Sequence, residues 1–332
     1  MIDASKQIAK VLKKGDIVVY ESTVYPGTTE EVCLPILEEG SSLKAGKDFF
    51  LGYSPERINP SDTKHEINKV PKVIAAQNEK VLGEIDKVYS ACTGSTYRVS
   101  DIKTAEAVKI LENTQRDINI AIMNEFTGIM HALDIIMNEV LQAAKTKWNF
   151  VDCKPGFVGW HCISVDPLYL AFKAKKIGVN HDLLLTARKV NDNVTIFVIQ
   201  ELKNIILKNN LSIDGFTIGI FGVTYKENVP DVRNSLALKL IKELKAAGFH
   251  CLIHDPVANK KLLKDTYKVD LSNFEDMQRL SAGMVLVGHD YYKANGLESI
   301  LGTLNSNKII MDVPNLFVKE SKDINELIYW NL

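Results

Sequence analysis

Cys162 sits in the most chemically loaded stretch of the chain, residues 154–170, which read K-P-G-F-V-G-W-H-C-I-S-V-D-P-L-Y-L. Pro155, Gly156 and Gly159 precede His161-Cys162, and Asp166-Pro167 begins four residues after the cysteine. Glycine lets a backbone approach a ligand with no Cβ in the way. Asp166 and Pro167 predict a helix start, with the carboxylate as N-cap and the proline at the first helical position. A cysteine on such a loop lies near the positive end of a helix dipole, where its thiolate is favoured. That thiolate could attack a carbonyl carbon; the competing reading is a structural cysteine buried in a tight turn.

A second pair of reactive types lies on a long helix. The spacing of Val108, Leu111, Ile118, Ile122, Phe126 and Ile129 predicts one helix over residues 101–133. Lys109 and Asn113 are four apart, so they share one face of it, flanked by apolar positions. They could equally be an ordinary solvated face. Lys226 and Arg233 follow the apolar strand 216–221 and its turn G-V-T-Y-K, where two cations suit a diphosphate.

The elements that must carry these residues alternate between strand and helix. Residues 3–13 read as a short amphipathic helix, 16–22 as a buried strand, and 28–38 as a helix after the turn T-V-Y-P-G. Further strands are expected at 49–53 and 73–76 and a helix at 80–91. Such βα units make a doubly wound sheet, whose ligands bind beyond the carboxyl ends of the strands, where Thr23 falls. Helices are expected at 139–145, 167–176 and 183–208, the last with Val190, Val194, Val198, Leu202 and Ile206 on one stripe. Beyond Gly215, strands at 216–221, 250–254, 284–288 and 308–313 alternate with helices, the first of them (236–247) capped by Ser235. The fold class is therefore α/β, with two Rossmann-like domains, 1–100 and 211–332, joined by a central long-helix region, 101–210, that reads as the dimer seam.

Before Asp16 there is no strand, G-x-G-x-x-G turn and helix, the unit whose backbone N–H groups hold a dinucleotide pyrophosphate. The first domain is accordingly expected to be truncated, without the main glycine-rich cofactor site. A net charge of −1 argues against nucleic-acid or anionic-membrane partners. Cysteines 33, 92, 153, 162 and 251 form no C-x-x-C pair and fit a reducing cytoplasm. The seven histidines show no metal-ligand spacing, so no metal is expected. No apolar run is long enough for a membrane span.

Taken in order, E-S-T-V-Y-P-G-T-T-E-E-V-C, S-P-E-R-I-N-P, A-E-A-V-K-I-L-E-N-T-Q-R-D-I-N-I-A, the cysteine loop and F-G-V-T-Y-K-E-N-V-P-D-V-R-N-S resemble the UDP-glucose/GDP-mannose dehydrogenase family. S-P-E-R-I-N-P and T-K-W-N-F resemble most the branch acting on UDP-N-acetylhexosamines for capsule and O-antigen. The resemblance implies NAD-dependent oxidation of a sugar C6 alcohol to the carboxylate, with Cys162 holding the carbon as thiohemiacetal and then thioester. It implies oxyanion stabilisation by Lys109 and Asn113, acid–base work by Glu56, and water positioning by Thr23 and Asp166. Thr23 and Glu56 would also meet the cofactor. Arg57, Phe157, Gly159, Lys226 and Arg233 would line the UDP-sugar site of a homodimer. Trp160 departs from the family, which has glycine there. The alternatives are a non-catalytic remnant that dimerises and binds UDP-sugar, and a cysteine hydrolase using His161-Cys162.

Overall fold

The computed structural model describes residues 1–58, 66–159 and 162–332. They form two compact units, Met1–Arg116 with Val165–Leu185, and Asp117–Ser164 with Thr186–Leu332. Among the described residues no helix is long and apolar enough to cross a membrane.

The first unit opens with α1 (Ile2–Ala9), then β1 (Ile17–Tyr20), a π-helical turn (Thr29–Cys33) running into α2 (Leu34–Ser41), and β2 (Phe50–Tyr53). It continues with β3 (Lys72–Ala76), α3 (Glu79–Thr93), β4 (Thr96–Arg98) and the first half of α4 (Ile102–Ala132). The sheet order is β1-β2-β3-β4. β1 and β2 run parallel and so do β3 and β4, but β2 and β3 are antiparallel. Alternation along the strands sorts the side chains. Val73 and Ala75 join Val18, Tyr20, Leu51 and Tyr53 against α1, α2 and α4, while Ile74 faces Val81, Leu82 and Ile85 of α3. Asn78 caps α3 by accepting the Val81 N–H at 3.0 Å.

The second unit takes up α5 (Met137–Ala144), the first unit α6 (Asp166–Lys176), and α7 (Asp182–Lys208) gives residues to both. Its sheet is wholly parallel, with β5 (Thr217–Phe221), β6 (His250–His254), β7 (Leu280–Val285), β8 (Leu304–Asp312) and β9 (Ile328–Asn331) in the order β6-β5-β7-β8-β9. Val194, Val198, Leu202 and Ile206 of α7 cover one face together with Ala237, Leu240, Ile241 and Leu244 of α8 (Leu236–Ala246). Ser235 caps α8 as its sequence suggests. A strand expected at 284–288 lies instead at 280–285. Ser281, Ala282 and Gly283 look weak for a strand, yet all three are buried in the middle of the parallel sheet.

The apolar stripe of α4 is not its buried side. Ile122, Phe126, Ile129 and Leu133 are all exposed, while Asp117, Asn124 and Thr127 are buried in the second unit. Periodicity finds an amphipathic face but cannot say whether its own chain covers it.

Candidate active site

Of the predicted site residues, Thr23, Glu56, Arg57, Lys109, Asn113 and Asp166 belong to the first unit, and Phe157, Gly159, Cys162, Lys226 and Arg233 to the second. Trp160, His161, Asn59 and Pro60 lie outside the described residues.

In the first unit three of the predicted residues converge. Asp166 is 2% exposed and accepts the Asn113 Nδ2–H at 2.5 Å. Burial pushes its carboxyl up from the ordinary value, and the Asn113 bond and the Lys109 charge pull the other way without cancelling it. Lys109 and Asn113 share a face of α4 because they are one turn apart. Asp166 is not the cap expected of it. It is the first residue of α6, with Val165 in the cap position, because its carboxylate is turned to Asn113 instead of to the helix amides. The result is a carboxyl group held dry, charge-balanced and pointed, which can hold or move a proton.

Glu56 is exposed; its Oε1 accepts the Ile58 N–H at 2.6 Å, and Lys72 Nζ stands 3.9 Å from its Oε2. Arg57 is spoken for within the fold. It forks onto Glu112 of α4, Nη2 to Oε1 at 2.7 Å, and donates to the Pro71 carbonyl at 2.8 Å. That pins the S-P-E-R segment to α4. Thr23 lines a cleft of about 470 Å³ past the end of β1, with Val24, Tyr25, Val32, Tyr169 and Phe172.

In the second unit Cys162 is exposed, between the buried anchors Val158 and Ile163. Upstream, Asn124 clamps the loop backbone: the Gly156 N–H donates to Asn124 Oδ1 at 2.8 Å, and Asn124 Nδ2 donates to the Gly156 carbonyl at 3.1 Å. Asn124 is held by Asn191, and Asn191 by Asp117, which pairs with Arg188. Gly159 is required by the packing of its own backbone. A Cβ on it would sit 2.5 Å from the Asn234 carbonyl and 2.9 Å from the Leu236 nitrogen, so the loop backbone packs on the start of α8. Phe157 packs against the core of the second sheet. Arg233 lies along Asp231, Nη2 to Oδ2 at 2.7 Å.

Tyr225 was not singled out by the sequence. Burial raises its phenol pKa, Asp231 adds to that, and so does the neighbouring Cys162 thiol. The one signal available was its place beside Lys226 in the V-T-Y-K turn.

The donor set can be tested against a nicotinamide dinucleotide. The amides at the β1–helix turn are already taken, because buried Glu106 accepts the Gly27 N–H at 2.5 Å and the Thr29 N–H at 2.8 Å. A carboxylate thus fills the position where an anion would bind a helix start. The hydroxyl-bearing, mostly apolar cleft at Thr23 suits a flat ring with one amide, so the fit is to the nicotinamide end.

Three family profiles match: the NAD binding domain of the UDP-glucose/GDP-mannose dehydrogenase family over residues 1–93, its central domain over 103–193, and its UDP binding domain over 219–319. Protein CapL of Staphylococcus aureus is 41% identical over 333 residues, covering 100% of this chain and 78% of that protein. The UDP-N-acetyl-D-glucosamine 6-dehydrogenase of Pseudomonas aeruginosa is 39% identical, over 98% of this chain and 77% of that one. A solved UDP-D-ManNAc dehydrogenase from Pyrococcus horikoshii superposes with a TM-score of 0.88 at 29% identity, covering 99% of this chain and 75% of that one. The fold is that of a nucleotide-sugar dehydrogenase using NAD. The chain belongs to the UDP-glucose/GDP-mannose dehydrogenase family.

The match over residues 1–93 corrects one expectation. The NAD-binding unit thought to be lacking is present. A doubly wound domain is defined by its sheet and covering helices, and the glycine-rich turn is only one of its parts.

Proposed function

We propose that the protein oxidises the C6 alcohol of a UDP-N-acetylhexosamine to the uronic acid for surface polysaccharide synthesis, with Cys162 as the covalent carrier. The observation that carries this reading is the convergence of Lys109 and Asn113 on buried Asp166, four residues along the chain from an exposed cysteine. NAD⁺, when bound, accepts the hydride that leaves C6. The alcohol loses a proton and a hydride to give the aldehyde. The Cys162 thiolate then adds to the aldehyde carbon, forming the C–S bond of a thiohemiacetal, and covalent capture prevents escape of the aldehyde. Loss of the hydroxyl proton and of a second hydride, for which a second NAD⁺ is the acceptor, leaves the thioester, and water cleaves its C–S bond, releasing the acid and the thiol. Lys109 and Asn113 stabilise the oxyanion at C6. Glu56 serves as acid and base in the hydrolysis, and Thr23 and Asp166 orient the water. Thr23 and Glu56 also face the nicotinamide. In the UDP binding domain Lys226 meets the diphosphate; Arg233, paired with Asp231, supports the turn that carries it.

The partner is a second copy of the chain. Ile122, Phe126 and Ile129 of α4 and Leu133 just past its end recur at helical spacing and are 45–60% exposed, a continuous apolar stripe of the kind that associates. The reaction is placed in the cytoplasm.

The decisive experiment follows NADH and product with UDP-N-acetylglucosamine and its galacto epimer. The wild-type protein should yield the uronic acid. Cys162→Ala should stop at the aldehyde stage. Steady turnover to the acid by Cys162→Ala would sink the covalent reading.

A further inference from the structure

At the carboxyl end of the second sheet one buried imidazole fastens both ends of the turn 224–228. His289 has no exposed side-chain surface, nor has its neighbour Asp255. The Asn228 N–H donates to His289 Nδ1 at 2.9 Å. On the other side of the ring, Nε2 lies 3.1 Å from Thr224 Oγ1 and 3.2 Å from Asp255 Oδ2. The Thr224 hydroxyl hydrogen is already given to the Lys226 carbonyl at 2.8 Å, so Thr224 Oγ1 can only accept from the ring. A backbone amide always donates, which makes Nδ1 the acceptor and Nε2 the donor, its N–H shared between Thr224 and Asp255.

Asp255 is itself fixed. Its Oδ2 accepts the Val223 N–H at 2.6 Å and the Thr224 N–H at 3.2 Å, and its Oδ1 accepts from Val257 and Ala258 at 2.8 and 2.7 Å. Asn228 takes a left-handed φ of 60°, and its Oδ1 accepts the Asp290 N–H at 3.0 Å. Between the two fastened ends stand Tyr225, Lys226 and Glu227.

We propose that His289 is a positioning residue that sets the Lys226 turn for the nucleotide diphosphate. It touches neither substrate nor reacting atoms; it acts by occupying both the Asn228 amide and the Thr224 hydroxyl from within the fold. The proposal rests on the reading of Lys226 as the diphosphate contact.

Calorimetric titration with UDP, steady-state kinetics with the UDP-sugar and amide hydrogen exchange test it together. His289→Ala should weaken UDP binding by about tenfold or more and raise KM by a similar factor, with kcat within about threefold, the size expected from a lost buried hydrogen bond. His289→Asn keeps an acceptor where Nδ1 stood and should recover most of the loss. A residue needed only for folding would lower the melting temperature without this split or this rescue. If His289→Ala does not fold, Thr224→Val, nearly isosteric, should still weaken UDP binding by about threefold or more. In the wild-type protein the Asn228 amide should exchange slowly. Unchanged UDP affinity in a folded His289→Ala or Thr224→Val protein overturns the proposal, and so does fast exchange at Asn228. A wild-type protein that does not bind UDP overturns the parent reading and this one with it.

Discussion

Asn113→Ala is the change that best separates what the helix face does from how it looks. Asn113 donates to a carboxylate that is 2% exposed, and Ala leaves that oxygen without this donor. Unpairing a hydrogen bond to a buried charged group costs about 1.5–3 kcal/mol. At roughly 2–4 °C per kcal/mol, a loss of ~2 kcal/mol lowers the melting temperature by about 4–8 °C. The sign with pH follows from the direction of the shift. The Asp166 carboxyl is raised in the folded state, so the fold holds its proton longer than the unfolded chain does. Its contribution therefore weakens as pH rises from the unfolded value through the folded one. Removing Asn113 raises the folded value further, so the weakening extends to higher pH. The difference between wild type and Asn113→Ala should be small near pH 3, below even the ordinary carboxyl value, and larger at pH 8. Thermal melts followed by circular dichroism at both pH values decide it. Equal melting temperatures at pH 8 would refute the convergence of Asn113 on Asp166. On activity, loss of one oxyanion donor should lower kcat by on the order of a hundredfold.

Two further outcomes are expected. Gly159→Ala places a methyl group 2.5 Å from the Asn234 carbonyl, against a helix start that cannot yield. It should cost about 1–3 kcal/mol and change the alkylation rate of Cys162 by iodoacetamide; an unchanged melt and rate would show that the loop does not pack there. Phe126→Glu puts a charge in the exposed stripe of α4 and should turn dimers into monomers by light scattering at micromolar concentration, whereas a wild type that is already monomeric would remove the seam.

What the sequence determined by itself is what repeats along the chain. Strand 250–254, the Ser235 cap, the long helices and the α/β alternation follow from local periodicity and end signals, and the structure has them. Lys109 and Asn113 also share a face by helical spacing alone. The tertiary structure decided what those residues meet. Asp166 reads as a cap because Asp-Pro starts helices, but an asparagine 53 positions away claims its carboxylate. Gly159 reads as a gap for a ligand, but it is needed for backbone contact with α8. The spacing along α4 finds its exposed stripe but not its buried side, which carries Asp117, Asn124 and Thr127, because Arg188, Asn191, the Gly156 backbone and the Met123 carbonyl supply their partners. His289 carries no local signal at all. Its role exists only where the ends of β5, β6 and β7 meet in a parallel sheet, and pairing between residues more than 60 apart in the chain is written in no local pattern.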